Sequence, residues 1–363
     1  MEKILASVMT APRSSQVQEF ALPSVPDDGG LLKVEAAGVC GSDVRAYERD
    51  RPSLILGHEN VGRIAAVGPV AAARWGVAEG ARVVLEEYLP CGHCETCRTT
   101  DFRLCPATDS AVPGSLRYGS VPLNREPSLW GGYSQYLYLH PNSVLHPAPS
   151  DVPADHLTLS LPVANGYEWA VIEGGAGPGQ TVVIIGPGQQ GLSCVYAAAL
   201  AGAEHVVAVG LAGDADRLES ARALGADLTI TLGRENDPAE LVRSLTGGAM
   251  ADIVIDTASG AADSLRMAID LLRPRGTLCL SAAPPSVDGI PLKALQWKCL
   301  NVRGVRGHSY GAVTWAMEKI RTRGDELKAI RSRTFGLDDV DLAIRATGGE
   351  IDSVVHAVVD PWL

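Results

Sequence analysis

Residues 181–185 read Thr-Val-Val-Ile-Ile, residues 186–191 read Gly-Pro-Gly-Gln-Gln-Gly, and small and apolar residues then run to Ala201. Five consecutive β-branched residues with no polar alternation predict a strand buried on both faces, as in a parallel sheet. Gly186, Gly188 and Gly191 allow a tight turn and close backbone approach, and a helix over 192–201 follows directly. Strand, glycine turn and helix in succession cradle a pyrophosphate at a helix N-terminus, which assigns Gly186, Gly188, Gln189, Gln190 and Gly191 to a dinucleotide. Further apolar strands at 205–209, 228–232, 253–256, 277–281 and 302–305 alternate with helical stretches. The pattern predicts an α/β chain whose residues 153–307 form a doubly wound parallel sheet. An acidic residue ending the second strand would bind the ribose of NAD. Here the strand runs out through Gly210 into Leu-Ala-Gly-Asp214, and Arg217 is the first cation able to face a 2′-phosphate. The residues leave NAD and NADP both open.

A second pattern lies between Cys91 and Cys105, spaced C-x2-C-x2-C-x7-C. Cys91, Cys94, Cys97 and Cys105 satisfy a tetrahedral four-thiolate zinc site with no open position, which makes that site structural. An iron–sulfur cluster is the alternative, but its last spacing is three residues where this chain has seven. His93 is not needed as a ligand. Eight cysteines in 363 residues, five of them in metal-like positions, point to thiolates in a reducing compartment and against a disulfide framework.

Upstream, Cys40-Gly41-Ser42-Asp43 and Gly57-His58-Glu59 bring a thiolate, an imidazole and a carboxylate. Three such ligands with a fourth position open describe a catalytic zinc, so Cys40, His58 and Glu59 are the expected set. The apolar run 54–56 leads into Gly57, a turn expected to expose His58 and Glu59, and Asp43 is placed to accept the free ring N–H of His58. A buried cysteine beside an unrelated His–Glu pair is the plainer alternative.

The rest of the chain narrows the class. Its length suits about two domains. Short β-type runs at 31–34, 61–67 and 82–85, broken by glycine and proline, read as a partly open barrel. A long loop over 107–132 carries Trp130, either a pocket wall or an anchor for the loop. Net charge of −11 without a Lys/Arg run disfavours nucleic acid as a partner. Neither a signal-peptide pattern nor an 18-residue apolar run is read, so a cytoplasmic protein handling small molecules away from membranes is expected.

Taken in order, GVCGSD, LGHENVGRIAAVG, CGHCETCRTTDFRLC and VVIIGPGQQG resemble the zinc-dependent medium-chain dehydrogenase/reductase family, over essentially the whole chain. The resemblance implies a GroES-like β-barrel catalytic domain from residues 1–152 and 308–363, and a Rossmann domain holding NAD or NADP. It also implies two zinc ions per chain. Cys40, His58 and Glu59 match the ligands of the sorbitol-dehydrogenase-like branch, and Ser42 matches the hydroxyl that starts a proton relay. The chain departs from the pattern at Leu161, where relatives carry a further Cys or Glu. Leu161 with Trp130 would make the pocket more apolar, so the expected reaction moves a hydride between a rather apolar secondary alcohol, or its ketone, and the cofactor. A polyol dehydrogenase of sorbitol or threonine type is the alternative. A zinc-independent enone or quinone reductase of the same fold would leave Cys40, His58 and Glu59 without a role, and a zinc module binding nucleic acid is opposed by the charge. Relatives pair edge strands, so a homodimer or homotetramer is expected.

Overall fold

The computed structural model describes residues 3–99, 101–233, 236–258, 262–281, 286, 289–351 and 353–363. The chain divides into two units, one of Met1–Leu161, Ser309–Gly324 and Arg331–Leu363, the other of Pro162–His308 and Asp325–Ile330. In chain order the first unit carries β1 (Lys3–Ala11), β2 (Ser14–Ala21), β3 (Gly30–Gly38), β4 (Leu54–Ile55), β5 (Glu59–Val67), β6 (Arg82–Leu85), β7 (Tyr136–Leu139) and β8 (Leu145–Pro147). The second unit carries β9 (Thr181–Ile185), β10 (His205–Gly210), β11 (Leu228–Thr231), β12 (Ala251–Asp256), β13 (Leu272–Leu280) and β14 (Asn301–Gly304). The chain returns to the first unit with β15 (Ser332–Phe335) and β16 (His356–Val359).

In the first unit a mainly antiparallel sheet has the order β15-β16-β3-β5-β6-β8, with β7 also on β3, and a smaller sheet has the order β2-β1-β4. This is the GroES-like barrel. Its core gathers Val8, Leu32, Val34, Val39, Ile64, Leu85, Leu137 and Val359, all nearly or fully buried. The β3–β5 register sets Gly38 against Glu59 and Ala37 against Asn60. A Cβ on Gly38 would stand 2.5 Å from Glu59 Oε2, so the glycine lets this carboxylate lie across its neighbour strand.

The second unit is a parallel six-stranded sheet of order β11-β10-β9-β12-β13-β14, a doubly wound Rossmann arrangement. Strand β9 is central, and all five of its residues are buried. Burying a valine or isoleucine side chain contributes roughly 1.5–3 kcal/mol, which is why the strand is apolar without alternation. Strand β14 closes one edge of the sheet with four exposed residues. No described helix is long and apolar enough to cross a membrane.

Candidate metal and cofactor sites

The short helix Gly41–Tyr47 starts at Cys40, and its first turn holds Asp43. Asp43 is 2% exposed, accepts the Cys40 backbone N–H at 2.9 Å through Oδ2 and the Tyr133 hydroxyl at 3.1 Å through the same oxygen. Its other oxygen faces His58 Nδ1 at 3.3 Å. This pairing fixes the imidazole so that Nε2 is the nitrogen left for a metal, the orienting role expected of Asp43. Gly57, at φ 92°, makes the expected turn before His58, and the ring of Tyr133 packs where a side chain at Gly57 would point.

The turn does not expose the pair that follows it. His58 is 8% and Glu59 2% exposed, because Glu59 opens β5 in the middle of the sheet and its side chain lies over Gly38. Cys40, His58 and Glu59 nevertheless converge, with one ligand atom from each within 4.8 Å of the others. Ser42 Oγ lies 3.4 Å from His58 Nε2. Burial raises the Cys40 thiol, but its hydrogen bond to His58 and that ring's charge bring it below its ordinary value. Burial lowers His58, while Asp43 and Glu87 outweigh this and hold it well above the ordinary value. A thiol, an imidazole and a carboxylate that converge in this way are zinc donors.

Two further residues belong here that the sequence did not reveal. Glu87 Oε2 stands 3.9 Å from His58 Nε2 and is ion-paired with Arg117. Burial raises the Glu87 carboxyl, and Arg117 and His58 more than offset this, leaving it below its ordinary value. The positions are 29 and 59 residues from His58 (87−58 and 117−58), and neither carries a motif. An isolated bridge between Tyr88 and Arg117 brings that pair together.

The four thiols of the lobe also converge, with Cys94 Sγ 3.5 Å from Cys97 Sγ and 3.7 Å from Cys105 Sγ. Sulfurs on one tetrahedral zinc, each about 2.3 Å from it, are about 3.8 Å apart, so the spacing fits. The Cys91 and Cys105 sulfurs accept N–H bonds from Cys94 and Cys91 respectively. Hydrogen bonding from Thr96 and Cys97 brings the Cys94 thiol down to about 6, and burial beside Cys94 pushes Cys97 up to about 12. His93 is exposed, with Nδ1 on the Cys91 carbonyl at 2.9 Å.

In the second unit Gly186 has φ 92°, and a Cβ on Gly191 would stand 1.9 Å from the Gly186 carbonyl oxygen. Both glycines are therefore required by the turn. The helix Gln189–Leu200 begins at Gly188 and presents its first-turn N–H groups there, and Gln190 Oε1 is buried without a hydrogen-bond partner. Thr257 Oγ1 ties the turn down through the Ile185 and Gly186 carbonyls at 2.8 and 2.7 Å. Gly210 lies against Pro187 and Asp214. Asp214 Oδ2 accepts the Leu211 N–H at 2.9 Å, and Arg217 lies 4.0 Å from its Oδ1 and close to Gly188. The cradle fits a dinucleotide pyrophosphate. His308 is buried, with Nδ1 2.8 Å from Asn165 Oδ1.

Trp130 is 2% exposed, donates its indole N–H to the Arg125 carbonyl at 3.0 Å and packs edge-on against Tyr138. It anchors the long loop. Tyr118 is equally buried, with its hydroxyl 2.6 Å from Ser143 Oγ.

Residues 26–150 match the model of the alcohol dehydrogenase GroES-like domain and residues 191–322 that of the zinc-binding dehydrogenase. The chain is 35% identical to the "Probable alcohol dehydrogenase adh" of Mycobacterium tuberculosis, over 99% of its own length and 98% of that protein's. It is 32% identical to the erythritol/L-threitol dehydrogenase of Mycolicibacterium smegmatis over 76% of this chain and 75% of that one. The crystal structure of an alcohol dehydrogenase from Thermotoga maritima superposes with a TM-score of 0.84 at 25% identity, covering 99% of this chain and all of the other. On this fold, these donor sets and these likenesses, the chain belongs to the zinc-type medium-chain dehydrogenase family and is an oxidoreductase acting on CH–OH groups with a nicotinamide cofactor.

Proposed function

We propose that this dehydrogenase uses two zinc ions per chain, one at Cys40, His58 and Glu59 where the alcohol reacts, and one at Cys91, Cys94, Cys97 and Cys105 where it sustains the lobe. The observation that carries the reading is the convergence of Cys40, His58 and Glu59 around a ring whose Nδ1 faces Asp43 and whose Nε2 stands beside Ser42 and Glu87. When bound there, zinc supplies the Lewis acidity that lets an alcohol give up its proton near neutral pH, and the nicotinamide accepts the hydride. Asp43 keeps the tautomer in which Nε2 offers a lone pair. Ser42, beside that nitrogen, is the hydroxyl that carries the proton away. Gly38 leaves room for the Glu59 carboxylate.

Gly186, Gly188, Gln189, Gln190, Gly191 and Gly210 receive the dinucleotide. Asp214 offers an acceptor for a ribose hydroxyl and Arg217 a cation for a 2′-phosphate, so NAD and NADP both have a partner at this turn. The substrate we favour is a secondary alcohol and its ketone, on the apolar character of Leu161. A polyol is the second reading. It is supported by the packing of Trp130 in the core, which takes that aromatic wall out of the apolar argument, and by the erythritol/L-threitol relative. We further infer a homodimer or homotetramer, on the exposed edge strand β14.

The test is His58→Ala, which should abolish alcohol oxidation with either cofactor while nicotinamide binding, followed by fluorescence, stays close to wild type. Turnover kept in the zinc-depleted variant would overturn the reading. A panel of secondary alcohols and polyols assayed in parallel decides between the two substrate classes.

A further inference from the structure

Three protein donors leave one position on a tetrahedral zinc. Beyond the Ser42 hydroxyl at 3.4 Å from His58 Nε2, the anionic group standing nearest that role is Glu87. Its Oε2 is 3.9 Å from His58 Nε2, while two donors sharing a tetrahedral zinc at about 2.0–2.2 Å stand about 3.4 Å apart. Its separation from this one donor is about half an ångström longer than that, and Glu87 stands outside the group of ligand atoms that converge within 4.8 Å, so the carboxylate must turn inward to bind. Opposing that shift is Arg117, whose guanidinium is ion-paired with the same oxygen.

The two residues are held as a unit. Glu87 lies two residues past the end of β6, its carbonyl accepts the Tyr118 N–H at 3.0 Å, and Tyr88 pairs with Arg117 in an antiparallel bridge. The Arg117 guanidinium also lies 4.8 Å above the ring of Tyr88. The side chains are largely desolvated, 13% exposed for Glu87 and 23% for Arg117, so both the pull of the cation and the pull of a metal are weakly screened.

We propose that Glu87 is a fourth protein donor for the metal held by Cys40, His58 and Glu59, and that Arg117 competes with the metal for its carboxylate. The inference rests on the metal-centre reading above. With Glu87 on Arg117 the fourth position is open to an incoming oxygen, and with Glu87 turned inward it is closed.

The test is zinc affinity measured by chelator competition, scored on the zinc equivalent that Cys40→Ser lacks, with the four-thiolate equivalent as the control for folding. Glu87→Gln should raise the dissociation constant at least about tenfold. Arg117→Met, which frees Glu87, should lower it, and the double variant Glu87→Gln/Arg117→Met should return to the Glu87→Gln value. A pair serving only to brace the barrel would loosen the metal in both single variants, and that result overturns the proposal. So does unchanged affinity in Glu87→Gln accompanied by a raised KM for alcohols, which would make Glu87 a substrate contact. Equal zinc content in wild type and Cys40→Ser would remove the metal centre and the proposal together, and so is distinguishable from a failure of Glu87 alone.

Discussion

His58 depends on three neighbours that divide its two nitrogens: Asp43 on Nδ1, and Ser42 and Glu87 around Nε2. Asp43→Asn keeps the shape but lets an amide N–H face the ring, so it should weaken zinc binding at this site by about 10–100-fold, measured by chelator competition. A second histidine reports on stability. His356 is fully buried, has Nε2 2.9 Å from Thr158 Oγ1, and burial lowers it from 6.5 to about 3. Its folded value lies below its unfolded one, so the unfolded chain takes up the proton first. Stability present above about pH 6.5 is therefore lost as pH falls toward about 3, by at most roughly 4–5 kcal/mol. Thermal unfolding between pH 7 and 4 should show a shallower decline in His356→Asn than in wild type, and an unchanged slope would contradict this account. Cys40, His58 and Glu59 were legible in the sequence because their side chains are zinc donors at short separations. Glu87 and Arg117 were not, since a carboxylate in an ordinary strand context acquires its role only from the chain that folds beside it.

Among the elements, the lobe from Cys91 to Cys105 has only Phe102 and Leu104 as large apolar residues, Leu104 is 39% exposed, and four thiols converge in it. Cys97→Ser should therefore lose one zinc and lower the melting temperature while leaving the parallel sheet intact, and a variant with full metal content and an unchanged melting temperature would refute the four-thiolate assignment. The central strands of that sheet were readable because burial on both faces writes a continuous apolar run, and β9 is the clearest case. The hairpin of β1 and β2 was not read. Strand β2, Ser-Ser-Gln-Val-Gln-Glu-Phe-Ala, has no fully buried residue, so its pattern resembles that of a surface loop. The returning strands β15 and β16 are four residues each and take their places only through pairing with each other and, for β16, with β3, far away in sequence.

At the scale of the molecule, the open edge of the parallel sheet predicts assembly. Strand β14 exposes Val302 at 51%, and the preceding helix Leu292–Trp297 exposes Leu292 at 69% and Trp297 at 75%. An apolar edge with free backbone groups pairs readily across a two-fold axis. Light scattering at micromolar concentration should give at least a dimer, and Val302→Lys should shift it toward monomer; a monomeric wild type would exclude this interface. The two-part architecture could be anticipated because each part carries its own signature, glycine turn and parallel strands in one, metal-binding segments in the other. The substrate could not, because whether a side chain such as Trp130 lines a pocket or anchors a loop in the core is decided by packing that no motif announces. The central claim is that one zinc serves the chemistry and another the fold, and metal analysis of wild type beside Cys40→Ser tests it most directly. Wild type should hold about two zinc per chain, and Cys40→Ser about one, with alcohol turnover lost and nicotinamide binding kept. About one zinc in both proteins, with turnover retained in Cys40→Ser, would contradict it.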